Sequence, residues 1–493
     1  MAPGPRQATA THGHVVRALS GLLLAVFVVS LSGTVVATAL PRIIAELGGS
    51  QRQYAWVVTA TLLTITASGP IWGKLADRAS RRTLVQLAFS IFALGSVLAG
   101  FSPNTEMLIL FRAFEGAGMG GLGALAPTVI ASLVGPRERS RYVGYFVAVG
   151  AIATLGGPLI GGLIVDVPLL GWRWCFWIVA PIAVAAVLLL RRMPELPVVR
   201  PGCRFDWLGA FLVPIAICIL MIWVTSAGAD FGWRSRISLG LLVVSATLIV
   251  CSVFVEHRAA DPLLPLWLLR NRTMPIALFA ITVAGASLVV SSVFLAQYFQ
   301  IARRYSPTES GLLLLPLLAA VVGATLVCGR ITSRTGRVKA PLVVGGALSV
   351  MGFALLGGVD DSTSLGSLCL SMMILGLGIG SCAPNLVVVA QNLLDYPDLG
   401  AGTSLLTFFQ SFGGAAGISV LGAVFASQVS DRASDHTGIE YAYGAASGRV
   451  FLICAALAGA AFIAVLFVRE SHVAAEQSGG DGAAHDLGAQ RPV

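Results

Sequence analysis

In the stretch FRAFEGAGMGG (111–121) an arginine and a carboxylate, Arg112 and Glu115, stand three residues apart among apolar and small residues. On a helix that spacing puts both side chains on one face, a turn apart. Charged groups in hydrocarbon are costly and mark ion or substrate pathways. Two chemistries fit the pair. Burial favours the neutral carboxyl and a neighbouring guanidinium favours the carboxylate, so the acid can take up and return a proton. Arg112, permanently charged, then acts as the local electrostatic switch. Alternatively the pair is static, and Glu115 only neutralises Arg112. Gly116 and Gly120, at GxxxG spacing, suit close helix packing on the same segment.

The surroundings are apolar enough for hydrocarbon. Of 493 residues, 56% are hydrophobic and 11% charged, with mean hydropathy +0.85. A soluble domain carries about 25% charged residues. The apolar residues come in blocks of roughly 20, the length of a membrane-spanning helix, and the short alternating segments of a barrel are missing. The expected fold is therefore an all-α polytopic membrane protein. The net charge of +9 comes from Lys and Arg between apolar blocks, where they set topology, so no nucleic-acid partner is expected. The eight cysteines show no CxxC spacing and read as small core residues, and the six histidines fall in tails or loops. No metal or cofactor is expected. Neither is enzymatic activity or ATP use, since no nucleophile–base set or Walker loop is visible.

About fourteen blocks can span, near 18–40, 55–73, 83–101, 107–133, 142–165, 173–190, 207–227, 237–255, 274–300, 310–330, 340–358, 364–393, 401–427 and 448–468. The first is longer than a signal-peptide core and is expected to be retained. With an even count both termini share a side. The presumptive inner loops hold more than twice the Lys and Arg of the outer ones, so that side is predicted to be cytoplasmic. A repeat divides the chain: GKLADRASR (73–81) follows the second span and GRITSRTGR (329–337) the tenth. The expected organisation is a cytoplasmic tail (1–17), a six-helix bundle (18–190), a linker with two inserted spans (191–273), a second six-helix bundle (274–470) and a disordered cytoplasmic tail (471–493).

Several motifs, in order from about Val15 to Val468, resemble the major facilitator superfamily, and within it the fourteen-span drug:proton antiporters of bacteria, including actinobacterial exporters. GKLADRASRR (73–82) is similar to the family's loop between spans two and three, with Ser80 where a glycine is usual. The resemblance implies a cytoplasmic gate of Gly73, Asp77, Arg78, Arg81 and Arg82, in which Asp77 latches the inner side; the plainer reading is topology charges. Gly150 followed by GGPLIGG (Gly156, Gly157, Pro158, Gly161, Gly162) resembles the antiporter motif of the fifth span and implies export. Generic close packing is the alternative. WRWCFWIVAPI (172–182) matches the start of the sixth span. DWLGAFL (206–212), DPLLPLWLLRNRT (261–273), QYFQIARRYSPTESGLLLLP (297–316) and QNLLDYPDLGAGTS (391–404) resemble the fourteen-span branch. Ser306, Pro307 and Glu309 form a helix-entry pattern.

Three departures bear on mechanism. The first span reads LSGT, with Ser32 where relatives often have an acid. The thirteenth reads FFQSFGG, with Gln410 in place of an arginine. In the fourth, Glu115 replaces a glutamine. Every other acid falls in a loop, a tail or a span end, so Glu115 is the leading proton carrier, with Arg112 its partner. Candidates for a mid-membrane cavity are Ser32, Thr34, Gln297, Tyr298, Gln300, Asn385, Gln391 and Gln410, with Phe408 and Phe409 as apolar wall; each can equally be helix–helix glue. What the resemblance implies is a monomeric exporter of hydrophobic drugs or antibiotics in a bacterial cytoplasmic membrane, driven by protons. The largely neutral cavity points to neutral or weakly charged substrates. A dedicated exporter of one metabolite (antibiotic, lipid or siderophore) and a non-transporting membrane sensor are the alternatives.

Overall fold

The computed structural model describes residues 12–76, 79–133, 136–167, 169–191, 207–226, 232, 234–258, 273–335, 337–359, 363–391, 399–433 and 439–468, and among these every regular element is helical. The elements are α1 (His12–Glu46), α2 (Gln51–Ala76), α3 (Arg81–Gly100), α4 (Thr105–Leu133), α5 (Pro136–Asp166), α6 (Trp174–Trp177), α7 (Val179–Leu190), α8 (Trp207–Ser226) and α9 (Arg236–Arg258). They continue with α10 (Thr273–Gln297), α11 (Pro307–Thr335), α12 (Lys339–Gly357), α13 (Leu365–Gln391), α14 (Leu399–Ala433) and α15 (Ile439–Leu466). Eleven are long and apolar enough to cross a membrane, and Ile152–Asp166, Trp174–Leu190 and Leu212–Trp223 are shorter apolar helices. Together they occupy the fourteen expected blocks, and the chain is a multi-pass membrane protein.

The sixth block departs from one continuous helix. It breaks at Ile178 between α6 and α7. Pro181 has no N–H to give the carbonyl four residues back, at Trp177, so the ladder lapses there. At the end of α10 a π turn, Tyr298–Ala302, adds a wider loop to the helix.

Packing follows the sequence repeat. In the first half α1 packs on α5 and α7, and α4 on α2 and α3. In the second, α10 packs on α14 and α15, and α13 on α11 and α12. The halves meet along two seams, α2 with α14 and α5 with α11. The α8–α9 hairpin lies outside this frame. Its α8 buries Val213, Ile217 and Met221 against Leu63 of α2 and Phe408 and Ala415 of α14. α9 packs on α8 and turns Ile237, Val243, Val250 and Phe254 outward, a largely apolar surface suited to lipid.

The two ends of the bundle differ. At the end holding the α1–α2 turn, one core draws on both halves: Tyr54, Trp172 and Phe176 share it with Phe294, Phe299, Phe353 and Phe425. At the other end the halves keep separate cores. One is built on Leu19, Leu22, Trp72, Phe89 and Phe92, the other on Met274, Leu278, Leu342 and Leu386. Among the described residues, then, the halves share one core at one end, the joined end, and keep two separate cores at the other, the parted end.

Candidate functional site

α4 is clamped from two sides by its glycines. Added Cβ atoms at Gly116 and Gly120 would strike the α2 carbonyls of Thr61 and Ile65, and one at Gly118 would lie 2.5 Å from Ala88 O of α3. Ser68 Oγ and Trp72 Nε1 both donate to the Ala117 carbonyl, at 3.2 and 3.0 Å. On α3, Gly95 admits the Glu115 backbone, since a Cβ there would stand 2.6 Å from Glu115 N. With α2 and α3 pressed this close, the Glu115 side chain extends toward α1.

Glu115 is fully buried and Arg112 is 5% exposed. Arg112 Nη1 donates to Glu115 Oε2 at 2.6 Å. Ser32 Oγ, from α1, donates to Glu115 Oε1 at 3.0 Å, and Ser32 is itself buried. Each carboxylate oxygen thus has one donor, one charged and one neutral. Arg112 Nε is buried without a hydrogen-bond partner among the described residues. Two residues singled out for separate reasons, the serine in an acid's place and the glutamate in a glutamine's, prove to be in contact. Among the described residues, the side chains that hydrogen-bond this carboxylate are thus a fixed cation, Arg112, and a hydroxyl, Ser32, that can both donate and accept.

The glycines of the fifth span work on two faces. Gly157 abuts Thr34 of α1, and a Cβ at Gly161 would lie 2.7 Å from Val35 O of the same helix. On the other face a Cβ at Gly162 would lie 2.7 Å from Pro307 O of α11, and Gly311 of α11 returns the contact on the Pro158 carbonyl. A Cβ added at Gly150 would stand 4.0 Å from Ser30 Oγ, and one at Gly156 would meet, among the described residues, only Ile160 of its own helix. The motif therefore joins a seam within one half to a seam between halves.

The remaining candidates are dispersed. Gln297 and Gln51 exchange amide hydrogen bonds, one at 3.1 Å, and Tyr443 OH donates to Gln51 Oε1 at 3.4 Å. Gln300 Nε2 donates to the Thr38 carbonyl at 2.7 Å. Both glutamines thus tie α10 and its π turn to the first half at the joined end. Tyr298 is fully buried, edge-on to Phe299. Thr34 Oγ1 bonds back to the Leu31 carbonyl of its own helix at 3.1 Å. Asn385 accepts from Thr332 at 2.8 Å and donates to Ser381 O at 2.8 Å, inside the second half. Phe408 stacks on Phe412 in the apolar cluster under α8, with Phe409 edge-on at its side. Gln410 presents its backbone carbonyl to Gly285 of α10, and Gln391 ends α13 with its side chain outside the described residues. Of the expected gate, Asp77 and Arg78 lie outside the described residues, Arg81 and Arg82 open α3 half-buried, and a Cβ added at Gly73 would meet nothing within 4 Å among the described residues, as at Gly329 in the other half.

Sequence reasoning missed the partners that close the joined end. Tyr54 OH donates to Val293 O at 3.2 Å, and Thr59 and Ser419 hydroxyls pair at 3.1 Å. Asp166 Oδ2 accepts from Thr308 N of α11 at 2.9 Å. The Ser306–Glu309 pattern was legible: Ser306 N bonds Glu309 Oε2 at 2.8 Å and Glu309 N bonds Ser306 Oγ at 3.2 Å, a capping box. Nothing in one sequence marked Asp166 as a second acid for the same helix start.

Comparison with known proteins agrees with this architecture. The family model described as Major Facilitator Superfamily matches residues 22–418 and, in a second match, 277–491. The multidrug transporter protein MdtP of Bacillus subtilis (strain 168) is 34% identical over 82% of this chain and 74% of its own length. Multidrug resistance protein 3 of the same organism is 29% identical over 84% of this chain and 80% of its own. Among solved structures, a bacterial homologue of the human lysosomal transporter Spinster, in an inward-facing and unoccupied conformation, superposes with TM-score 0.66 at 14% identity, covering 93% of this chain and 98% of that one. At that identity the likeness shows the fold alone.

Proposed function

Since the chain belongs to the major facilitator superfamily, we propose that it exports hydrophobic or amphipathic small molecules, drugs or antibiotics among them, in exchange for protons. Glu115 carries the proton and Arg112 is its counter-ion. The observation that carries this reading is a fully buried carboxylate inside the first helix bundle, held by one arginine and one α1 hydroxyl. The names of the Bacillus relatives support multidrug efflux. The loop charges support a bacterial cytoplasmic membrane with both termini inside, so the parted end of the bundle faces the cytoplasm and the joined end faces out. The protein works as a monomer, with lipid around α8–α9.

Each proton moving inward gains about 2.3 kcal/mol per 100 mV of membrane potential. Ser32, Gln410 and Asn385 add no charge to the interior, which favours neutral or weakly charged substrates over dications. The test is proton-driven efflux in everted vesicles with neutral, monocationic and dicationic dyes. Glu115→Gln is expected to abolish the substrate-linked pH change while leaving the protein folded. Unchanged coupling in that variant would sink the proposal.

A further inference from the structure

The Glu115 carboxylate is linked through one hydroxyl to the seam between the two halves. Ser32 donates to Glu115 Oε1 from α1. Two and three residues on, α1 presents Thr34 and Val35 to Gly157 and Gly161 of α5. The same turn of α5 presents Pro158 and Gly162 to Gly311, Pro307 and Thr308 of α11, in the other half. From carboxylate to seam each step is a hydrogen bond or a contact in which backbone takes part, with no long flexible side chain to absorb a shift.

We infer that Ser32 is a positioning residue that transmits the protonation of Glu115 through α1 and the glycine turn of α5 to the α5–α11 seam. The inference rests on Glu115 being the proton site. A hydroxyl suits this place because it is both donor and acceptor. With Glu115 ionised, Ser32 donates to Oε1, as seen. When a proton from water binds Oε1, the new O–H donates to Ser32 Oγ, and the serine proton turns to a carbonyl of its own helix. The charge-assisted bond to Ser32 is then replaced by a weaker neutral one, while Arg112 keeps its bond to Oε2 but loses the anionic acceptor, and α1 is held less firmly at Ser32. Other groups facing Glu115 do not compete for this role. Besides Arg112, α3 presents Gly95 to Glu115, and α2 meets the neighbouring Gly116 through Thr61 and Thr64; among the described residues none of these is ionisable.

The seam contacts are present in the state with Glu115 paired, so protonation is expected to loosen the joined end. The inference goes beyond proton carriage itself, because a carboxylate can exchange protons without steering α1. Coupling between sites requires an element with two arrangements that both sites bias, and α1 with its seat on α5 is that element here.

The experiment follows the joined end directly and needs no substrate. Spin labels at Leu169 and Ile439, 93% and 59% exposed and in opposite halves, report the separation in lipid nanodiscs, with the eight native cysteines replaced. The wild-type pair is expected to pass from short to long distances along one titration as pH falls. Glu115→Gln should remove the titration. Ser32→Ala should remove it or flatten it at least threefold in population change, whereas Ser32→Thr, which keeps the hydroxyl, should restore it. If Ser32→Ala does not purify as folded protein, Ser32→Val, which has the shape of threonine without its hydroxyl, takes its place. A Ser32→Ala titration matching wild type, or a Ser32→Thr as flat as Ser32→Ala, would overturn the inference while leaving Glu115 as proton site. A wild type that does not titrate, or a Glu115→Gln that still does, would overturn the proton-site reading and this inference together.

Discussion

α4 and α13 hold equivalent places in the two halves, yet one carries charge and the other does not. GAGMG (116–120) in α4 recurs as GLGIG (376–380) in α13. Gly116 and Gly120 meet α2; Gly376 and Gly380 meet Leu317 and Val321 of α11. Gly118 meets α3, and Gly378 meets Ser349 of α12. Even the return contact is repeated, with Gly95 of α3 against the Glu115 backbone and Gly352 of α12 against Leu375. The site of Glu115 is thus filled by Leu375, and Arg112 corresponds to Met372, both fully buried. The frame closes as well around Met and Leu as around an ion pair. Packing alone therefore does not call for Arg112 and Glu115, and their presence in one half asks for another reason.

Making α4 resemble α13 tests that argument with the largest expected effect. Glu115→Leu alone leaves Arg112 buried without its acid, which costs about 3–5 kcal/mol, and folded yield should fall sharply. Arg112→Met with Glu115→Leu should recover most of the loss, since that combination packs in the second half. The measurement is thermal unfolding of the purified variants beside proton-driven efflux. The double variant should be folded and uncoupled. A folded double variant that still couples transport to protons would return the pair to a structural role.

A smaller effect sharpens the other side of the comparison. Gly118→Val and Gly378→Val overfill equivalent contacts, where an added Cβ would stand 2.5 Å from Ala88 O and 2.5 Å from Ser349 Oγ. Each should cost about 1–3 kcal/mol, and the two losses of thermal stability should be similar. A loss confined to Gly118→Val would mean that the likeness of the halves is only formal.

The likeness also shows what one sequence could disclose. The spans were legible because a helix in lipid satisfies its own backbone and needs about 20 apolar residues. Pro181 was visible, although the break it leaves at Ile178 was not foreseen in a block that reads as uniformly apolar. Ser32 and Glu115 were each conspicuous by residue type, but their contact was not, because nothing in α1 fixes which side of α4 it meets. Gln297 and Gln300 were legible only as polar groups in a span. An amide near a helix end looks the same whether it faces a ligand, water or a partner such as Gln51, 246 residues away. Phe408 was read as cavity wall because the apolar cluster that covers it belongs to the inserted hairpin.

The polar contacts between halves are the next place where likeness gives way. Gln51 and Gln297 join α2 to α10 by two amide hydrogen bonds, each worth about 0.5–1.5 kcal/mol. Single alanine variants at either residue should each lose both bonds, so the double variant should be little worse than either alone. Accessibility of a cysteine placed at Val293, whose carbonyl accepts from Tyr54 behind this pair, reads the opening. Alkylation should quicken to a similar degree in all three variants. Additive effects would mean that the two amides act separately.

The smallest effect concerns the acid at the α5–α11 seam. There Asp166 accepts from Thr308 N–H in the first turn of α11, whereas the α2–α14 seam uses the Thr59–Ser419 hydroxyl pair and the approach of Gly422 to Ala55. α11 already has its own cap in Ser306 and Glu309, so Asp166 is not needed to start the helix. What it adds is attraction across the halves, between a carboxylate and the positive end of a helix. Asp166 is exposed, so water and salt weaken that attraction. Asp166→Asn should therefore favour the open arrangement of the joined end by less than about fivefold, and high salt should erase the difference from wild type. Thr59→Val, at the buried seam, should shift the same equilibrium in a way that salt does not change. If both variants respond to salt alike, the two seams close by the same means and the distinction between them fails.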